Sequence, residues 1–379
     1  MIKSPQLVLN HAEQEVRFRP AFGVLRKAIE AHAFPGAAIA VTLGGQLMAL
    51  QGFGQYTYDA ASPTVTAETL FDLASVSKVL PTTAMAALLY ERGLLDLEMP
   101  LTSILPEFAG DDRRCGEVTI RMLLAHASGL PAYEKLYLRA DSREQLLAAA
   151  VAVPLAHDPG THAEYSDIGF ILLGVCLERL ADESLDQFAR REVFGPLGLT
   201  RTTFTPPHSS RSQIAPTVDD RGFRHRIIQG EVQDENASVL GGVAGHAGVF
   251  STAGDVAMYA HSMMLPRSEP SSGDAHGGEE FSPALLRPET LALFTGRQPE
   301  PEGTSRALGW DTPSRPSQSG SHLSARSYGH LGYTGTSLWI DPERQLTITL
   351  LTNRTWPDCA NQAIKQVRPA FHDAIVEAL

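Results

Sequence analysis

The chain is 379 residues long, with 43% hydrophobic and 20% charged residues, which is the composition of a soluble globular protein with room for one large domain or two. Its net charge of -12 argues against a nucleic-acid partner, because binding a phosphate backbone takes a surplus of Lys and Arg on one face, and it disfavours anionic membranes for the same reason. Cys115, Cys176 and Cys359 offer neither a disulfide framework nor a metal spacing and are read as buried thiols in a reduced compartment.

At the N-terminus, residues 1–19 carry Glu13 and Glu15 where a secretory leader needs a continuous apolar stretch, so the expected location is the cytoplasm. No apolar run approaches the ~20 residues that span a bilayer. An amphipathic stretch at 20–32 predicts a helix, and residues 36–43 and 46–52 around Gly44-Gly45 predict a β-hairpin. From Ser75 onward the pattern turns helical, with runs at 83–92, 120–125, 143–151 and 168–180. Near the C-terminus, residues 337–340 and 346–352 flank Asp341-Pro342-Glu343-Arg344 as a second hairpin, followed by a helix over 361–379. Stretches 266–278 and 313–327 are rich in Ser, Gly and Pro and read as loops.

Strands at both chain ends must share one sheet or leave edges bare. The expected architecture is therefore α+β, an antiparallel sheet flanked by helices with an inserted all-α region. The sheet region is 1–74 with 237–379, the mainly helical region is 75–236, and together they form one catalytic unit.

Chemistry concentrates in three boxes. Leu73-Ala74-Ser75-Val76-Ser77-Lys78 opens a helical run and sets Ser75 and Lys78 three residues apart, a nucleophile on the same face as a base. Pro81 is expected to bend that helix unless the turn is irregular. Ala163-Glu164-Tyr165-Ser166-Asp167 sets a tyrosine before an apolar helix, and Gly329-His330-Leu331-Gly332-Tyr333 enters the last hairpin. In this order the boxes resemble those of the serine β-lactamase-like, penicillin-recognising superfamily, which holds class C β-lactamases, family VIII carboxylesterases and D-aminopeptidases. The resemblance extends from about residue 36 to 353, through Leu123-Leu124-Ala125-His126 and Gly245-His246-Ala247-Gly248.

That resemblance implies a β-lactamase/transpeptidase-like fold and an acyl-enzyme on Ser75, with Lys78 and Tyr165 sharing the serine's proton. It also implies an oxyanion hole from the backbone N–H groups of Ser75 and Tyr333, the latter following Gly332 on the edge strand. Two departures bear on substrate. Asp167 stands where the second box usually ends in Asn, and is expected either to hold Lys78 protonated or to bind a substrate amine. His330 and Leu331 replace a Lys and a hydroxyl residue that hold the β-lactam carboxylate, which disfavours strong β-lactamase activity.

The expectation is an esterase or amidase of D-aminopeptidase type, with a small ester, amide or β-lactam as substrate. The alternatives are a β-lactamase or penicillin-binding peptidoglycan-peptide hydrolase, and a catalytically weak binding or scaffold protein of the same fold. His126 reads as a structural, hydrogen-bonded histidine, and His246 as a residue that either lines the cleft or serves its turn. No cofactor is expected, and no metal, since His157 and His162 lack a helical ligand spacing. The Gly-x-Ser-x-Gly elbow of α/β-hydrolases is missing.

Overall fold

A computed structural model describes residues 7–265 and 284–379; the loop expected at 266–278 lies outside the described residues. The strands are β1 (Val8–Leu9), β2 (Gly36–Leu43), β3 (Gln46–Gly54), β4 (Phe71–Asp72), β5 (Thr203–Phe204), β6 (Val218–Asp220), β7 (Arg226–Ile228), β8 (Val249–Ser251), β9 (Tyr328–Leu331), β10 (Ser337–Asp341) and β11 (Leu346–Thr352). Six of them form the main sheet in the order β1-β3-β2-β11-β10-β9, so both chain ends meet at its centre. All pairs in it are antiparallel except the parallel β1 with β3.

Burial of both faces explains why β2 reads as near-continuous apolar residues rather than as an alternation. Ala37, Ile39 and Val41 pack with Leu346, Ile348 and Leu350 of β11 and with Phe22, Leu25, Phe371 and Ile375, which come from the helices Arg19–Glu30 and Ile364–Glu377. Ala38 and Ala40 face the other way, into the larger core with Leu338, Ile340 and the helix Ala253–Met264. Small side chains on that face let the helix lie close. Thr42 and Thr347, buried between the layers, satisfy each other at 2.7 Å between hydroxyl oxygens.

The inserted region is built from the helices Ala84–Glu91, Ile120–Leu124, Arg143–Val151 and Asp167–Ala181. Three of these, and the helix Ala253–Met264 against the sheet, start at a side chain that accepts an otherwise orphaned backbone N–H: Thr119 from Met122, Ser142 from Gln145, Ser166 from Gly169 and Thr252 from Asp255. The helix Asp167–Ala181 buries Ile168, Phe170, Ile171, Leu172, Leu173, Cys176 and Leu177, and so carries Tyr165 and Asp167 on a rigid base at its N-terminal end. Residues 313–327 hold no helix or strand, as the composition predicted. Among the described residues no helix is long and apolar enough to cross a membrane.

Candidate active site

Ser75 sits on an irregular segment. Ala74–Lys78 is a 3₁₀ turn, Val79–Thr83 a π turn, and the α-helix begins only at Ala84. In a 3₁₀ turn residues three apart eclipse, which stacks Lys78 on Ser75 more directly than an α-helix would and leaves Nζ 3.1 Å from Oγ. Pro81 lies within the widened π turn instead of kinking a regular helix. Side chains satisfy the carbonyls that this irregularity frees: Thr83 Oγ1 donates to Lys78 O at 2.8 Å and Tyr259 Oη to Val79 O at 2.5 Å.

Before the nucleophile, Ala74 is in the left-handed region with φ 47°, which costs a residue with a Cβ roughly 1–2 kcal/mol. The Asp72 carboxylate holds it there, accepting from Ala74 N–H at 2.8 Å and from Gln233 N–H at 2.6 Å. Burial of Asp72 pushes its pKa up to about 6.

Lys78 is wholly buried. Its Nζ lies 2.6 Å from Asp167 Oδ1, and it donates to His246 O at 3.1 Å as well as meeting Ser75. Burial, the largest single influence, would lower the lysine, but Asp167 and Tyr165 together outweigh it and hold Lys78 above the ordinary lysine range. Of the two readings of Asp167, the geometry therefore realises the ion pair with Lys78.

Tyr165 is half-buried and lies beside Ser75 and Lys78 in the cleft, its ring centroid 4.8 Å from Nζ. Burial raises the phenol and Lys78 opposes that rise. The His126 ring lies 4.6 Å from the Tyr165 ring, the Arg306 guanidinium is over it at 5.4 Å, and the His330 ring is 6.0 Å away.

The two histidines hold opposite tautomers. His126 Nδ1 takes Ser166 N–H at 3.0 Å, so its proton is on Nε2; His330 Nδ1 meets Leu331 O at 2.9 Å, so it must be the donor and Nε2 presents a lone pair. Neither Nε2 has a partner among the described residues. Burial, reinforced by Lys78 and Arg306, pushes both imidazoles well below the usual histidine range, so they are uncharged. The hydrogen bond to Ser166 makes His126 the structural histidine expected.

On the sheet side, β9 ends at Leu331, and Gly332 and Tyr333 lie in the turn beyond it rather than on the edge strand as expected. Thr336 Oγ1 donates to Leu73 O and Thr334 Oγ1 to Asp72 O, each at 2.8 Å, which fastens this turn to the nucleophile segment. A side chain at Gly332 would strike Thr336 and come within 2.5 Å of Leu73 O, so glycine is required by the close approach. Tyr333 N–H has no acceptor among the described residues and is free for a substrate oxygen. Buried Arg368 donates to Gly332 O at 2.6 Å and Thr336 O at 2.8 Å, and Arg354 to Tyr333 O at 2.6 Å.

Ser75, Tyr165, Asp167, His330, Gly332 and Tyr333 thus line one cleft of about 770 Å³, with Lys78 beneath Ser75. His246 lines it too and is tied to Asp234, Nε2 to Oδ1 at 2.8 Å. Sequence reasoning missed Arg306, Arg368 and Asp234, which carry no local motif and reach the cleft from three separate segments, and Asp72, which is buried behind the nucleophile. It also placed Cys359 among buried thiols, whereas Cys359 is partly exposed at the cleft, since residues 359–362 run along the surface; Cys115 and Cys176 are buried. His157 and His162 stack on each other at 4.5 Å, and among the described residues no group of three or more His, Cys, Asp or Glu is placed to hold a metal ion.

A buried lysine against a serine at the head of a helical region, closed by an edge-strand turn, is the arrangement of the penicillin-recognising serine enzymes. The family model described as beta-lactamase matches residues 22–369, and the chain belongs to that family. It is 31% identical over 357 residues to an N-acetylmuramyl-L-alanine amidase of Bacillus subtilis, covering 86% of this chain and 78% of that one. It is 32% identical over 316 residues to a putative D-alanyl-D-alanine carboxypeptidase of Escherichia coli, covering 76% of this chain and 70% of that one. Among solved structures the fold is similar to that of EstCE1, a hydrolase with promiscuous acyltransferase activity, with a TM-score of 0.75 and 21% identity over 96% of this chain and all of that one. A penicillin-binding protein homologue from Caulobacter crescentus gives a TM-score of 0.72 at 18% identity, over 96% of this chain and 98% of that one.

Proposed function

We propose that this chain is a serine hydrolase of the esterase or amidase type that works through an acyl-enzyme on Ser75. The observation that carries this reading is the contact of Lys78 Nζ with Ser75 Oγ at 3.1 Å, with the Tyr165 ring 4.8 Å from the same Nζ, on the floor of an open cleft. Serine is a weak nucleophile until a neighbour takes its proton, and the Lys78–Tyr165 pair is the neighbour within reach. Ser75 Oγ attacks the carbonyl carbon, the developing oxyanion falls to the N–H groups of Ser75 and Tyr333, and the departing oxygen or nitrogen takes the proton back from the pair. Water then hydrolyses the acyl-enzyme. The names of the relatives, an amidase and a carboxypeptidase, support carboxyl-group hydrolysis.

His330 governs which substrates fit best. An uncharged imidazole presenting a lone pair repels a carboxylate and accepts from an N–H or O–H donor, which favours esters and amides over β-lactams. A second reading, hydrolysis of a peptidoglycan peptide bearing a free carboxylate, draws support from the carboxypeptidase relatives and from Arg306, Arg368 and Lys365 along the sheet side of the cleft.

The test is mass spectrometry after fluorophosphonate treatment, joined to a substrate panel. The expected outcome is one adduct on Ser75, multiple turnover of short-chain nitrophenyl esters or D-alanyl amides, and loss of both in Ser75→Ala. Efficient hydrolysis of a cephalosporin with no ester or amide turnover would reverse the reading of His330. Neither adduct nor turnover would mark a binding protein of this fold.

A further inference from the structure

This inference rests on the serine-hydrolase reading and concerns the two buried arginines behind the turn that carries Tyr333 N–H. That turn is closed without them. Gly335 N–H donates to Gly332 O at 3.0 Å, Gly332 N–H donates to Thr336 O at 2.8 Å, and Thr336 Oγ1 fastens the turn to Leu73 O at 2.8 Å. Arg368 Nη2 adds a further bond to each of the two turn carbonyls, Gly332 O at 2.6 Å and Thr336 O at 2.8 Å. Arg354 Nε donates to Tyr333 O at 2.6 Å and its Nη1 to Cys359 O and Asn361 O, each at 3.1 Å, with the guanidinium 4.3 Å from the Tyr333 ring centroid.

Every acceptor named for these two arginines is a backbone carbonyl. Arg368 is 6% and Arg354 4% exposed, and neither has an ion-pair partner among the described residues. Arg368 Nε also lacks an acceptor among the described residues. A cation taken out of water with no counter-ion is destabilising, and an apolar side chain of similar volume would fill the same space without that penalty. Burial, with Arg354 beside it, presses Arg368 down to about 9, so it is still charged at neutral pH. Holding the turn does not account for that charge.

The position of Gly332 O does. That carbonyl and Tyr333 N–H belong to one planar peptide group, on opposite sides of the same C–N bond. A charge-assisted bond to the carbonyl draws electron density away from the nitrogen and makes its N–H a stronger donor. Tyr333 N–H is the group left free for a substrate oxygen, and Arg368 lines the same cleft. We propose that Arg368 charges the oxyanion hole through the Gly332–Tyr333 peptide, strengthening Tyr333 N–H and holding a buried positive charge ready for the oxyanion. When Ser75 Oγ bonds the substrate carbon, the carbonyl π electrons move onto oxygen, and that anion is the counter-ion the guanidinium lacks at rest. Arg368 is a positioning residue that acts through the peptide.

The experiment compares an ester with its thionoester, in which sulfur replaces the carbonyl oxygen, on the native protein, Arg368→Met and Arg368→Lys. Sulfur is a weak acceptor, so a strengthened N–H helps the oxygen ester far more. In Arg368→Met, kcat on the oxygen ester should fall about 10²-fold with KM little changed, the scale of losing one oxyanion donor, and the thionoester should slow no more than about tenfold. Arg368→Lys, which keeps the charge, should recover part of both the rate and the preference for oxygen. An equal fall on the two substrates, with that preference untouched, overturns the proposal and leaves Arg368 a clamp on the turn. Should urea unfolding show that Arg368→Met does not fold, Arg368→Lys carries the test, because one ammonium cannot reproduce the two-carbonyl grip. An oxygen preference reduced about threefold or more then supports the proposal, and slower turnover with the preference unchanged overturns it. Failure of the hydrolase reading is distinct: the native protein would then take no fluorophosphonate on Ser75 and turn over neither substrate.

Discussion

Gly332 and Asp72 set the geometry of the nucleophile from opposite sides. Asp72 accepts from Ala74 N–H and Gln233 N–H and passes its own carbonyl to Thr334, so one buried residue joins the strained turn, the helical wall and the sheet turn. Gly332 lets the sheet turn come against Leu73. In Gly332→Ala, the added methyl must displace either Thr336 or the backbone at Leu73, and it moves Tyr333 N–H away from Ser75. The expected result is a fall of about 10²-fold or more in kcat, the scale of losing one oxyanion donor, with KM changed far less. Steady-state kinetics on a nitrophenyl ester checks this; an equal and purely proportional rise in KM would place the effect on binding instead.

At the level of elements, the helix Asp167–Ala181 is what brings the second box to the first. Ser166 Oγ accepts from Gly169 N–H at 3.0 Å and donates to Pro131 O at 2.7 Å, while its backbone N–H is taken by His126. The cap thereby sets both the start of the helix and the position of Tyr165 next to it. Ser166→Ala should lower stability by about 1–2 kcal/mol, the usual cost of losing a cap. Urea unfolding measures that loss, and ester kinetics should show kcat reduced while the fluorophosphonate still labels Ser75. The same helix touches the loop that carries His246: a side chain at Gly245 would collide with Phe170 O and lie 2.9 Å from Gly174 Cα. This close approach brings His246 O against Lys78.

Across the whole molecule the cleft is lined both by segments of the helical region and by segments around the sheet, and the buried histidines couple the fold to pH. His372, from the helix Ile364–Glu377, meets Ser337 Oγ of β10 at 3.1 Å through Nε2 and Gln318 O at 3.1 Å through Nδ1. Burial pushes it down to about 4. An unfolded histidine titrates near 6.5, so between these values the unfolded chain binds a proton that the folded one refuses. Its stabilising contribution is therefore complete above about pH 6.5 and is lost as pH falls toward 4. Comparing unfolding free energies at pH 7 and pH 5, the loss in the native protein should exceed that in His372→Gln by about 2 kcal/mol. Equal losses in the two proteins would assign the acid sensitivity elsewhere.

Much of this was legible in the amino-acid order because the relevant signals are local. The two hairpins follow from turn residues between apolar runs, the helices from their period, Ser75 and Lys78 from a spacing that matches what the chemistry needs, and Tyr165 and His330 from short boxes that resemble those of a known family. Long-range contact decided the rest. Whether Asp167 would meet a lysine or a substrate depended on how one helix start packs against a turn 89 residues away. The same holds for the tautomers of His126 and His330, the burial of Lys78, and the arrival of Arg306, Arg368 and Asp234 at the cleft. Charge state and hydrogen-bond direction depend on neighbours in space, and no periodicity along a chain encodes those neighbours.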